Sequence, residues 1–377
     1  MTVLTQNMRT HCVGRLLIDL PEGSAWEPNA SGATIGNIKL SVVTDTSLEQ
    51  FQDLVEQRWK EVRETKKDDY GNPYRSPSES FGNLERGFVF AYQHETVDGL
   101  ADDDETVIKR IFHTAEGYYW DAGTLFKLGP VLNGKQGITD LLPRLHARKP
   151  DETPLQPGLC LNGAFVSGYY DFNESEQVSW SFSLPRNIGI TIRHTKVSAP
   201  ATSLFQRELE SRGEAEAYIA AFLKPGDTFE EHLFRKAIRQ VGELPGEELV
   251  AGSVENTGVD KYETFIGATW GYPGQGSPSL LPKIELSSGT PRFLTTYIPS
   301  PAGGFPRPED TPDGPTEAEF FEVWDAVVGN IRFRPDALIS SPPPPPSAPL
   351  PISRKQAEED QRALDDFIAS HPNQPKP

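Results

Sequence analysis

Enzymes leave recognisable residue spacings in a sequence, and the residues able to do chemistry here do not fall into them. No Gly-x-Ser-x-Gly elbow, the strand-to-helix turn that exposes a nucleophilic hydroxyl, occurs in the chain. No His-Glu-x-x-His, Cys-x-x-Cys or close histidine pair offers ligands at zinc spacing. The seven histidines, His11, His94, His113, His146, His194, His232 and His371, are scattered. Gly271–Pro278 is rich in glycine, but its prolines and the want of a following helix deny it a phosphate cradle. Asp102, Asp103, Asp104 and Glu105 could meet a cation through oxygen; they lack the spaced ligands and glycine of a calcium loop and read better as a solvated turn. An acid–base pair cannot be picked from 54 carboxylates without geometry. The two cysteines, Cys12 and Cys160, leave two readings open: buried free thiols, or one disulfide in an oxidising compartment.

These residues point to a binding protein without catalytic residues, cofactor or metal rather than to an enzyme. Function then falls to the loops. The long polar ones span Lys66–Phe81, Asp98–Glu105, Trp270–Leu281 and Pro299–Pro315. Tyr74, Trp270, Tyr272 and Phe305 are the aromatic side chains expected to anchor a partner, because aromatics bury large areas with few torsions to freeze. Asp102–Glu105 supply charge. Lys plus Arg is 36 and Asp plus Glu 54, a net charge of −18. That balance argues against nucleic acid and against an anionic membrane surface as direct ligand, and favours a partner steered by charge. No stretch approaches the roughly 20 apolar residues of a membrane span, and no signal peptide is visible at Met1–Arg9.

The elements that must position these residues read as α+β. His11–Pro21 is an apolar run stopped by a proline, hence an opening strand. Ile35–Val43 alternates as a strand. Ser47 and Gln50 are spaced as a capping box before a helix whose Leu48, Phe51, Leu54, Val55, Trp59 and Val62 form one apolar stripe. Strands are expected at Gly87–His94 and Thr106–Trp120, and a helix near Gly137–His146. Arg148–Pro154 reads as a linker. Beyond it, strands are expected at Leu159–Phe172, Gln177–Leu184, Ile188–Thr195, Thr264–Gly271, Lys283–Ser287 and Thr290–Ile298. Helices are expected at Ser203–Leu223 and Phe229–Val241. Thr316 begins a last helix with carboxylates in its first turn, which the helix dipole favours. After Pro335 the five prolines Pro342–Pro346 favour an extended spacer, and the charged 354–370 stretch a disordered or marginally helical tail.

Three segments carry a resemblance: Cys12-Val13-Gly14-Arg15 with Leu20-Pro21; Cys160-Leu161-Asn162-Gly163; and the Trp324 helix followed by Ile331-Arg332-Phe333-Arg334-Pro335. Over roughly residues 9–336 the chain resembles the immunity proteins that neutralise phospholipase effectors of the bacterial type VI secretion system, the Tle cognate immunity proteins of family four. The resemblance implies two α+β domains, 1–150 and 155–336, each a mainly antiparallel sheet packed with helices, ahead of a Pro-rich tail at 337–377. It implies a periplasmic protein with a Cys12–Cys160 disulfide, although the chain taken literally would stay in the cytoplasm. It also implies a monomer that grips a phospholipase of the α/β-hydrolase class, one to one, with both domains. A ligand- or lipid-binding module of the PsbP/Mog1 type is the alternative, since short strands ending in Leu-Pro resemble those folds too.

Overall fold

In the computed structural model the chain divides into two units, Met1–Ser340 and Ser341–Pro377. The described residues are 3–65, 79–81, 86–100, 107–149, 151–170, 174–222, 229–256, 262–276, 281–290, 293–295 and 314–340. Tyr74, Asp102–Glu105, Phe305 and the tail from Ser341 onward lie outside them.

The chain opens with α1 (Val3–Gln6) and then two strands where the sequence suggested one: β1 (Met8–Val13) and β2 (Leu16–Pro21). They pair antiparallel about the two-residue turn Gly14-Arg15. Gly14 has φ +58°, which suits glycine at the first position of such a turn. β3 (Ala25–Trp26) is followed by β4 (Gly32–Ile35) and β5 (Ile38–Val43), again a hairpin in place of one strand. Helix α2 (Leu48–Glu64) starts with the expected capping box, Ser47 Oγ accepting from the Gln50 N–H and the Gln50 side chain accepting from the Ser47 N–H. Its buried Phe51, Val55 and Val62 pack on Phe90, Tyr92, Tyr118 and Leu125, and full burial of one such side chain is worth about 1.5–3 kcal/mol. Arg58 clamps the helix to the sheet through both oxygens of Glu116, at 2.7 and 3.1 Å.

β6 (Glu79–Phe81), β7 (Gly87–Leu100), β8 (Val107–Asp121) and β9 (Thr124–Leu132) follow, the last absent from the sequence reading. α3 (Lys135–Leu141) stops early. Leu142–Arg144 tightens to a 3-10 turn, and β10 (Leu145–Ala147) replaces the expected end of the helix. β11 (Gly158–Leu161) and β12 (Ala164–Ser167) make a hairpin about Asn162-Gly163, where one strand was expected. β13 (Glu176–Leu184) and β14 (Ile188–Thr195) pair antiparallel, and α4 (Leu204–Phe222) follows. Phe229–Val241 is not a helix but strand β15, in register with β16 (Leu244–Asn256). Its apolar spacing imitates a helical stripe, yet Leu233 and Ile238 are 54% and 65% exposed, so no core selects that stripe; ladder pairing overrides the local pattern. β17 (Tyr262–Tyr272), β18 (Lys283–Gly289), β19 (Phe293–Thr295), α5 (Glu317–Gly329) and β20 (Arg332–Phe333) complete the described elements.

The fold is α+β and its pairings are antiparallel. The large sheet runs β15-β16-β17-β18-β14-β13-β4-β5-β9-β8-β7-β6, with β19 beside β17 and β3 beside β13. It passes from the first half of the chain to the second at β4–β13, where Gly32 pairs with Ser179 and Ile35 with Glu176. Two small sheets, β1-β2-β20 and β10-β12-β11, lie outside it. β13 alternates strictly, Val178, Trp180, Phe182 and Leu184 inward and Ser179, Ser181 and Ser183 outward. α5 is capped by a Thr316–Glu319 box and buries Phe320, Val323, Trp324, Val327 and Val328 in the main core. No described helix is long and apolar enough to cross a membrane.

Candidate partner-binding surfaces

The three segments that carry the resemblance meet in space. Cys12 and Cys160 are bonded, with Cα atoms 5.6 Å apart. Beside the disulfide, the Gly14 and Cys160 amides exchange hydrogen bonds of 2.8 Å in both directions. On the far edge of the hairpin, Leu16 and Leu17 pair with Phe333 and Arg332 of β20, and the Arg334 N–H donates to the Arg15 carbonyl at 3.0 Å.

Three buried arginines fasten this junction. Arg15 donates to both oxygens of Glu176, one at 2.7 Å, and to the Ala337 carbonyl; its guanidinium lies 4.8 Å from the centre of the Tyr170 ring. Arg334 donates to the carbonyls of Pro154, Gln156 and Gly158 at 2.7–2.8 Å. Burial first, then the cations of Arg15 and Arg148, hold its pKa down to about 10. Arg148 donates to the carbonyls of Ala164 and Leu161 at 3.2 and 2.9 Å, and burial lowers its pKa as well. His194 fills the space under Gly14. Its Nε2 accepts from the Arg15 N–H at 3.4 Å, and burial followed by the Arg15 charge drives its pKa down to about 3. The ring is neutral with its proton on Nδ1.

Two concavities open near this junction. A cleft of about 630 Å³ is floored by Trp26, Trp180 and Phe182 and walled by β1 residues Arg9–Cys12 and by Arg148 and Asp151. The Trp26 and Trp180 rings are 5.3 Å apart, and His11 meets Phe182 edge-on at 5.4 Å. A shallow furrow of about 660 Å³ crosses the outward face of β13, β14, β18 and β17. Cross-strand register builds it from two rows, Ser181-Thr191-Ser287-Thr269 and Ser183-Gly189-Gly289-Gly267. Side chains this small leave the sheet backbone near the surface. Arg207 of α4 donates to Glu285 of β18 at 2.6 Å.

Two family models match the chain. The Tle cognate immunity protein 4 N-terminal domain matches residues 9–136, and the C-terminal domain of the same name matches residues 152–336. The chain belongs to the Tle cognate immunity protein 4 family. Among solved structures, the chain is similar to one described as the Tle4-Tli4 complex, with 21% identity, a TM-score of 0.61, and coverage of 88% of this chain and 99% of that one. It is also similar to the type VI immunity protein TplEi of Pseudomonas aeruginosa complexed with "L" peptide, with 20% identity, a TM-score of 0.56 and coverage of 88% and 99%. The apo form of TplEi gives 20%, 0.54, 89% and 99%. At these identities the likeness is one of fold. No curated protein sequence matches the chain.

As a member of this immunity family, the chain uses its motif residues for architecture. Cys12, Gly14, Arg15, Cys160 and Arg334 hold the two halves together and are buried. Two expected anchors are corrected. Trp270 and Tyr272 lie in β17 rather than in a loop, 0% and 3% exposed, and the Trp270 indole donates to the Arg239 carbonyl at 3.0 Å; both serve the core. Leu209 of α4 is 68% exposed. The aromatics that do line an opening, Trp26 and Trp180, were not singled out from the sequence. Alternation in 176–184 could have turned Trp180 inward, but no local signal places a cleft above it. Among the described residues, no group of three His, Cys, Asp or Glu side chains could hold a metal ion.

Proposed function

We propose that this chain is a periplasmic immunity protein that binds and inhibits a type VI secretion phospholipase effector of the α/β-hydrolase class, one to one and without turnover, and so spares the producing bacterium. Membership of the Tle cognate immunity protein 4 family across 9–136 and 152–336 carries this reading. A structural neighbour solved as the Tle4-Tli4 complex, matched over 99% of that chain, supports it. A disulfide built into the junction suits an oxidising compartment.

In this reading residues 1–150 and 155–336 are the two gripping units, and the spacer expected at 337–377 begins after Ser340, since Ala337 is packed against Arg15. The segments carrying Tyr74, Asp102–Glu105 and Phe305 are contacts of the effector. A lipase must expose an apolar surface to reach lipid, and a partner that prefers its closed state prevents this. Each unit raises the effective concentration of the other.

To test the reading, a type VI phospholipase effector of the α/β-hydrolase class from the producing bacterium is assayed on phospholipid vesicles with increasing amounts of the protein. Activity should fall linearly to an equivalence point at one mole per mole. Undiminished hydrolysis at several-fold excess refutes it. Added salt should slow association if the acidic surface steers the encounter.

A further inference from the structure

Among the described residues the large sheet ends at β15, a strand of 13 residues paired with β16 on one side only. On its open side every second residue turns its N–H and C=O away from the ladder, where another strand could take them. Glu230–Leu233 and Lys236–Ile238 are exposed. Charged side chains ordinarily guard such an edge, but here they are engaged elsewhere. Arg235 and Arg239 bond Asp325 of α5 at 2.6 and 2.8 Å. Lys236, the strand's one lysine, is held by Glu208 of α4 at 2.7 Å.

The register with β16 sorts the side chains of β15. Arg235, Ala237, Arg239 and Val241 share the inner face, and Phe229, Glu231, Leu233, Lys236, Ile238 and Gln240 the outer. The bulge between Leu233 and Arg235 keeps the two halves of the outer row in phase. Its extra residue, Phe234, packs edge-on against Phe321 of α5 at 5.4 Å. From Phe229 to Ile238 the outer row alternates apolar, acidic, apolar, basic, apolar, so it is its own complement when reversed.

We infer that β15 pairs antiparallel with β15 of a second copy of this chain, about a two-fold axis through Leu233 that joins the two large sheets edge to edge. Leu233 then faces Leu233 of the other copy, Glu231 faces Lys236, and Phe229 faces Ile238. Such cross-strand neighbours lie about 4.5–5.5 Å apart at Cβ and stabilise the pairing when apolar meets apolar and charge meets opposite charge. Sliding the copy by two residues either way sets Leu233 against Lys236 or against Glu231, so the outer row selects one register. The contact is isologous and closes as a dimer. One strand in width, it falls short of the roughly 1,200 Å² at which stable interfaces begin. The dimer therefore forms at high concentration, and the dilute chain stays monomeric and free to take one effector.

The test uses the intact chain alone, with no effector present, so its failure leaves the proposed function standing. Sedimentation equilibrium from about 10 μM to about 1 mM should show a monomer–dimer equilibrium, weakened by salt. Glu231→Lys and Lys236→Glu each place like charges opposite one another twice and should weaken self-association at least tenfold. Glu231→Lys leaves the Lys236–Glu208 pair in place, so its effect reads the strand contact by itself. An equimolar mixture of the two variants should regain the parent's association, because every lysine at 231 or 236 then faces a glutamate of the other chain. A monomer throughout the range overturns the inference. So do single variants that associate like the parent, or a mixture that associates no better than either variant alone. A parent monomeric at about 1 mM whose Leu233→Lys variant loses effector binding assigns this edge to the effector instead, and likewise overturns the second copy.

Discussion

Arg15 and Glu176, 161 positions apart, form a two-pronged ion pair from which water is excluded, their side chains 1% and 0% exposed. The pair ties the first hairpin turn to the strand that joins the two halves of the large sheet. Its Coulombic gain is offset by desolvation of both charges, so its net worth is small while both partners stand. Removing one leaves an uncompensated buried charge. Glu176→Ala is expected to lower unfolding stability by about 3–5 kcal/mol, read from the midpoint of urea unfolding at constant slope. A loss below about 1 kcal/mol would show that water reaches the site.

Gly14 is constrained twice. Its φ of +58° disfavours a side chain, and a Cβ there would lie 2.0 Å from His194 Nε2. The imidazole is wholly buried and has no room to retreat. Gly14→Ala should therefore destabilise by about 2 kcal/mol or more. The double change Gly14→Ala with His194→Ala should recover part of that loss in thermal unfolding, because the clash term disappears while the backbone term stays.

Acid should loosen the fold through His194. Its folded pKa of about 3 lies below the unfolded value of 6.5, so between these values the unfolded chain binds more protons and stability rises with pH. The contribution is complete above pH 6.5 and is lost as pH falls toward 3. Between pH 6.5 and 5 it amounts to about 2 kcal/mol. His11, also shifted down, acts in the same direction. Unfolding free energies measured at pH 7.5 and 5 should differ by at least this much, and His194→Gln should flatten the slope. Equal slopes in the two proteins would remove His194 from the account.

Reduction should cost up to about as much as Glu176→Ala. The Cys12–Cys160 bond closes a separation of 148 residues, for which the loop-entropy account gives about 5 kcal/mol as an upper figure. Both sulfurs are in the bond and neither is a thiolate, so the oxidised protein should take up no alkylating agent, even when unfolded. The double change Cys12→Ser with Cys160→Ser should melt well below the parent under oxidising conditions and match the reduced parent. Rapid labelling of native protein by iodoacetamide would show the bond to be absent.

Much of this architecture was written locally. Gln177–Leu184 was legible as a strand, Ser47 with Gln50 marked the start of α2, and the acidic first turn after Thr316 marked α5. Each feature depends on residues within a few positions of one another, because helix and strand periods are local properties. The motifs around Cys12, Cys160 and Trp324 also sufficed to place the chain in its family.

Tertiary structure decided the rest. Phe229–Val241 has an apolar spacing compatible with a helix, and only pairing with Leu244–Asn256 makes it a strand. Trp270 and Tyr272 have the composition of partner anchors, and only the core beneath β17 claims them. Nothing near Glu176 in sequence announces Arg15, and nothing near Trp26 announces Trp180 or the cleft they share. A periodic pattern tells which side of an element is apolar, but not which element will lie against it. That choice belongs to long-range pairing, where β4 meets β13 and Gly14 meets Cys160, and it determines which aromatic rings remain at an opening.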